Sequence, residues 1–254
     1  MLQQPTFQLL HELRLPAMAA ALEEQQGIPD IAELSFEDRL VLLLEREKTD
    51  RADRRFQRLR GQARLRLDAV LEDLDFRNAR GLDRSVVLRL MSCDWIHQGQ
   101  SLLITGATGS GKSYIACALG HQACRHGLPV RYFRLSRLLG ELTLARADGS
   151  YSKLLQRLAR ASLLILDDWG LAGLDDLGRR DLLEILDDRY GRKATLVTSQ
   201  IPVDHWHEIV GDATFGDAIL DRLLHNTHRI TLKGGSMRRV YDSTADPDRN
   251  HAPN

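Results

Sequence analysis

Apolar and polar positions divide the chain into three stretches of different period. Up to about residue 66 the apolar residues recur at helical spacing, and strand signals are nearly lacking. Leu9, Leu10, Leu13 and Met18 are spaced for one amphipathic helix, which Pro16 breaks or redirects. After a Gly27-Ile28-Pro29-Asp30 loop, Ser35 stands where it can cap a second helix, with Glu37 and Asp38 in the first turn. That helix carries the apolar run 40–44 and then becomes strongly charged.

From about residue 67 to 241 short apolar runs alternate with helix-like segments, the pattern of an α/β protein with a parallel sheet. Strands are expected at Ser101–Thr105, Val130–Arg134, Leu163–Leu166, Thr195–Ser199 and Arg229–Leu232. The last stretch, 242–254, is polar with two prolines and is predicted to be a disordered tail. The expected organisation is therefore a small all-α domain over 1–66, an α/β domain over 67–241 and a tail over 242–254.

Composition changes this picture little. A length of 254 residues suits one large domain, or a medium one with an appendage. The formal net charge is zero, which excludes a bulk electrostatic footprint but can hide local patches. One patch is plain: Arg51, Arg54, Arg55, Arg58, Arg60, Arg64 and Arg66 face only Asp53 within their stretch. They are either a solvated helix face paired with Glu45, Glu47 and Asp50, or a stripe contacting phosphates, which guanidinium forks suit. The three cysteines, Cys93, Cys117 and Cys124, are too few and too poorly spaced for a disulfide framework or a zinc site, and read as small core residues. With no signal-peptide pattern and no apolar run of membrane-spanning length, a cytoplasmic protein is expected.

The sharpest chemistry lies in "GATGSGKS": Gly106, Ala107, Thr108, Gly109, Ser110, Gly111, Lys112 and Ser113, followed by Tyr114. It matches the P-loop pattern, with an apolar strand before it and a helix after it. Glycines let successive N–H groups turn toward phosphate oxygens, and the helix N-terminus adds partial positive charge. Lys112 would bridge the β- and γ-phosphates, and the Ser113 hydroxyl would hold Mg²⁺. The ligand implied is a nucleoside triphosphate with Mg²⁺.

Some fifty residues later "LLILDDWG" places two carboxylates at the end of an apolar strand, expected to neighbour the P-loop. Asp167 stands where a carboxylate holds Mg²⁺. Asp168 is either the group that polarises the attacking water or a cap on the turn that follows. His205 and His207 diverge on a helix, and His225 and His228 lack a third ligand, so neither pair reads as a metal site.

Taken together, GATGSGKS, LLILDDWG, VTSQIPVDHWHEIVGD, AILDRLLHNTHRI and LKGGSMRR resemble the IstB-type transposition helper ATPases of bacterial insertion sequences. These are relatives of the DnaC helicase loaders within the AAA+ superfamily. The resemblance implies an AAA+ P-loop NTPase with a central parallel sheet behind a small all-α N-terminal domain. It implies that Ser199 and Gln200, with Thr198 as a neighbouring candidate, read the γ-phosphate. It also implies that Arg222 is an arginine finger reaching the ATP of the next subunit; the residues alone would pair Arg222 with Asp221 on a helix surface. Arg238 and Arg239 fall near a second phosphate sensor, or contact DNA, or are solvated. The segment bearing Arg137, Arg146, Lys153, Arg157 and Tyr151 sits where initiator-like AAA+ proteins insert a DNA-contacting helix; by its own pattern it is an amphipathic helix pair.

The function implied is ATP-dependent assembly on duplex DNA, as a homo-oligomer joined through the ATP interface, to assist a cognate transposase in target selection and integration. A helicase loader on the same core is the nearest alternative, with a small-molecule P-loop kinase and a scaffold of negligible turnover as further ones. DNA contacts expected without sequence preference are Arg51, Arg54, Arg55, Arg58, Arg137, Arg146, Lys153 and Arg157.

Overall fold

The computed structural model describes residues 3–76 and 81–235. The expected tail and Arg238 and Arg239 lie outside the described residues. Contacts divide the chain into two compact units, Met1–Arg58 and a second that begins at Leu59. The break falls inside a long helix, a little before the boundary expected after residue 66.

In the first unit, helix α1 (Gln3–Glu12) and helix α2 (Pro16–Gln26) lie on either side of the break expected at Pro16. Pro16 occupies the first turn of α2, where its missing N–H costs nothing. Helix α3 (Phe36–Ala63) begins as expected: the Asp38 N–H donates to Ser35 Oγ at 3.1 Å. From α3, Glu47 Oε2 accepts the N–H groups of Ala17 and Met18, both at 3.0 Å, and so caps α2. Burial pushes the Glu47 carboxyl up, but these N–H groups and Arg51 outweigh it and hold it below its usual range.

The second unit adds α4 (Arg84–Met91), α5 (Asp94–His97), β1 (Ser101–Gly106), α6 (Lys112–Arg125), β2 (Val130–Arg134), α7 (Leu135–Ala147), α8 (Tyr151–Arg160), β3 (Leu163–Trp169), α9 (Asp176–Arg189), β4 (Ala194–Ser199), α10 (Trp206–Val210), α11 (Ala213–Leu224) and β5 (Thr227–Leu232). Five strands form one parallel sheet in the order β2-β3-β4-β1-β5. The three strands β1, β3 and β4 are almost wholly buried, which is why they read as continuous apolar runs rather than alternating ones.

Two details depart from expectation and shape the site. The strand carrying the aspartates does not neighbour the P-loop strand: β4 lies between β1 and β3. That strand also runs three residues further than expected, because β3 carries a bulge. Leu166 pairs with Val197 and Trp169 with Ser199, so Asp167 and Asp168 together face the single residue Thr198. Beyond the bulge, Trp169 and Trp206 are fully buried with ring centroids 5.0 Å apart, anchoring α10 to the sheet.

Candidate nucleotide site

The P-loop leaves the carboxyl end of β1, where a parallel sheet opens its crevice. Gly106 has no room for a side chain, since a Cβ there would lie 2.6 Å from the Leu232 carbonyl oxygen. Gly111, at φ +97°, turns the chain into α6 through a conformation other residues resist. Lys112 Nζ donates to the carbonyls of Gly106 (2.8 Å) and Ala107 (2.9 Å). Burial pushes this ammonium below its usual range, and the charges of Asp167 and Asp168 pull it partly back.

Although their strands are not neighbours, Ser113 Oγ donates to Asp167 Oδ1 across 3.0 Å. Asp167 is wholly buried and also accepts the hydroxyls of Tyr132 and Thr198. Burial, then the Asp167 carboxylate, push the Tyr132 phenol far above its usual range, so it stays a proton donor. A serine hydroxyl beside an ionisable carboxyl group is a hard-oxygen pair of the kind that suits Mg²⁺, which binds through few protein ligands with substrate phosphates and water completing the shell. Among the described residues no group of three or more His, Cys, Asp or Glu is placed to hold a metal ion.

Regular strands send successive side chains to opposite faces. Here the bulge, with Asp168 at φ +64°, brings both carboxylates beside one cation: Arg66 Nη1 lies 3.9 Å from an oxygen of each, and Asp168 lines the cleft while Asp167 is buried. Asp168 is further approached by Arg134 Nε at 3.5 Å.

The other residues expected to read the phosphate separate. Gln200 lines the cleft and accepts the Thr108 hydroxyl of the P-loop. Ser199 is fully buried, and its hydroxyl donates to the Trp169 carbonyl at 2.9 Å and accepts the Ile201 N–H at 3.0 Å. Ser199 therefore holds the turn after β4 and does not face the cleft, contrary to the expectation, because the strand's alternation sends it to the face opposite Thr198, where it meets Trp169 beyond the bulge.

A cavity of about 270 Å³ joins these groups to a stretch in which the sequence alone shows no chemistry. Its far wall is Arg66, Leu67, Asp73, Leu74, Asp75 and Tyr114. By sequence 67–76 only opens the α/β domain; an apolar stretch ahead of the P-loop strand is the available signal.

Arg222 stands elsewhere. It lines a second cavity with Ser101, Arg189, Tyr190, Lys193 and His225. Ser101 begins β1, whereas the P-loop follows its end, so a strand length, roughly 17 Å, separates the two. Arg222 Nε lies 2.6 Å from Asp187 Oδ1 and Nη1 3.7 Å from Asp221 Oδ2.

The expected DNA contacts also divide. Arg146 is committed: its guanidinium pairs with buried Asp181 and stacks 3.8 Å from the Tyr151 ring centroid, while the single Tyr151 hydroxyl proton is shared between carboxylate oxygens of Asp181 and Glu184, each 2.8 Å from Oη. That network ties α7 and α8 to α9. Arg137, Lys153 and Arg157 are exposed, and Leu154 and Leu158 bury the opposite face of α8. In the first unit Arg51, Arg54, Arg55 and Arg58 line one open depression with Arg14. Arg51 pairs with Glu47 at 2.8 Å, and Arg54 with Asp50.

Comparison with known proteins agrees with this geometry. The model of a family described as IstB-like ATP binding protein matches residues 8–245. The chain is 51% identical over 239 residues to an insertion sequence ATP-binding protein of Sinorhizobium fredii, covering 94% of this chain and 98% of that one. It is 53% identical over 203 residues to the ATP-binding protein of insertion sequence IS1162 from Pseudomonas fluorescens, covering 80% and 88%. Among solved structures, the DnaC helicase loader superposes with a TM-score of 0.55 at 21% identity, over 65% of this chain and 97% of that one. AMPPCP-bound DnaA from Aquifex aeolicus superposes with 0.56 at 16%, over 75% and 58%. The sheet and its helices are thus those of an AAA+ P-loop protein. The chain belongs to the IstB-like ATP-binding family, as the motifs implied.

Proposed function

We propose that this member of the IstB-like ATP-binding family is a DNA-stimulated ATPase that assembles on duplex DNA and assists the transposase of its insertion sequence. One observation carries the reading: Arg222 lies at the opposite end of β1 from the P-loop of its own chain. A cation so placed serves a nucleotide only when a second copy presents one, which makes the complete site a property of an oligomer. Lys112 and the loop N–H groups would bind the triphosphate, and Ser113 and Asp167 would hold Mg²⁺, which screens the phosphate charge. Gln200, joined to the P-loop through Thr108, would sense the γ-phosphate. Asp168 would orient the attacking water.

Hydrolysis by a lone subunit should be slow. Asp168 is a methylene shorter than glutamate, and Arg134 and Arg66 compete for its carboxylate. Closure against a neighbour would then set the rate, which suits a timer for the DNA-bound assembly. Exposed arginines of the first unit and of α8 would contact phosphates without reading sequence. The relatives' association with insertion sequences supports a transposase as the partner.

Electron microscopy of the protein with ATP, Mg²⁺ and duplex DNA tests this. Wild type should form nucleoprotein assemblies only with ATP, and Lys112→Ala should form none. Normal assembly by Lys112→Ala would show that the nucleotide is no switch.

A further inference from the structure

We propose that Thr198 is a positioning residue for metal-bound nucleotide: its one hydroxyl, donating to Asp167 and accepting from the Asp168 N–H, orients the buried Asp167 carboxylate and sets the bulge that turns Asp168 into the cleft. The inference rests on the reading that Ser113 and Asp167 hold Mg²⁺.

The topology creates the need for such a residue. β4 separates the P-loop strand from the aspartate strand, so the groups that must meet over the nucleotide come from strands that share no hydrogen bonds. Thr198 sits on the intervening strand, paired with Ile104 of β1 on one side and facing Asp167 and Asp168 of β3 on the other. A bulge leaves one backbone N–H out of the ladder, and a buried N–H without a partner is costly. The Asp168 N–H finds Thr198 Oγ1 at 3.2 Å. The same oxygen carries the proton donated to Asp167 Oδ1. Only a hydroxyl can do both while remaining neutral, and a β-branched residue suits the strand.

The arrangement on Asp167 assigns each donor a task. Ser113 and Thr198 both donate to Oδ1, and Tyr132 donates to Oδ2. Were the Ser113 hydroxyl to hold a metal ion it would leave Asp167, and Thr198 would be the remaining hydroxyl donor on Oδ1. Thr198 does not act by touching phosphate, because it is fully buried with both its functions engaged. Gln200, two residues on, is the one that reaches the cleft.

The test is equilibrium binding of a fluorescent ATP analogue, with excess Mg²⁺ and with EDTA, to wild type, Thr198→Val and Thr198→Ser. In EDTA all three should agree within about twofold, since the P-loop is untouched. Wild type and Thr198→Ser should gain affinity with Mg²⁺, and Thr198→Val should lose about tenfold of that gain, as removal of an outer-shell partner does. If Thr198→Val fails to fold, Thr198→Ala, which deletes the hydroxyl with less bulk, carries the same expectation. A full Mg²⁺ gain in the hydroxyl-free variants overturns the inference alone, and so does an equal loss in Thr198→Ser. A wild type that gains nothing from Mg²⁺ overturns the metal-site reading and this inference with it.

Discussion

Ser113 Oγ and Asp167 Oδ1 meet at 3.0 Å across a strand that belongs to neither of them. The hydrogen bond joins the helix that follows the P-loop to the carboxyl end of the aspartate strand. Beside it the bulge brings Asp168 into the cleft, and the proposed function gives the adjacent carboxylates separate tasks.

Those tasks separate by mutation. Asp167→Asn should weaken Mg²⁺-dependent nucleotide binding by about tenfold or more while leaving metal-free binding in place. Asp168→Asn should bind nucleotide within about twofold of wild type, lose turnover by about 10²–10⁴-fold, and persist on DNA. Binding titrations and phosphate-release assays measure both. Rapid turnover by Asp168→Asn would remove Asp168 from the chemistry.

Arginines of the α7–α8 pair should behave in two ways. Replacing Lys153 and Arg157 together by alanine should weaken DNA binding and reduce the slope of log affinity against log salt by about two, because each cation that neutralises a phosphate adds about one to it. Arg146→Ala should instead leave that slope unchanged and lower the melting temperature, because it strands buried Asp181. Salt titrations with melting curves distinguish the two classes.

The first unit should be acid-sensitive through Glu47. Its carboxyl is held below its ordinary value of 4.5, so its contribution to stability is complete above that pH and is lost as the pH falls through the lower folded value. Glu47→Gln should lower the melting temperature at neutral pH. The gap between variant and wild type should close as both are acidified below about 4.5. A gap independent of pH would deny Glu47 its capping charge.

Much of this is legible in the residues. The P-loop spacing and the apolar runs of β1, β3 and β4 are local signals, and local signals survive without knowledge of the fold. Strand order is not local, so nothing in the chain shows that β4 parts β1 from β3. The bulge is hidden for a related reason: Asp167 and Asp168 look like any pair of neighbours until Thr198 is seen opposite them. Ser199 and Gln200 likewise separate only when the end of β4 is built, which buries one and exposes the other. Arg146 reads as a DNA contact because Asp181 lies far away in sequence. The lining of the cavity by Leu67 and Leu74 is hidden because a short apolar stretch without period carries no sign of what it packs against.

The central claim is that a complete ATPase site needs two copies of the chain. Steady-state ATP hydrolysis per subunit, measured against protein concentration with and without duplex DNA, tests it most directly. The rate should rise with concentration and again with DNA, and Arg222→Ala should bind ATP normally yet lose the rise by about 10³-fold. A rate per subunit that is constant with concentration, indifferent to DNA and unchanged by Arg222→Ala would contradict the account.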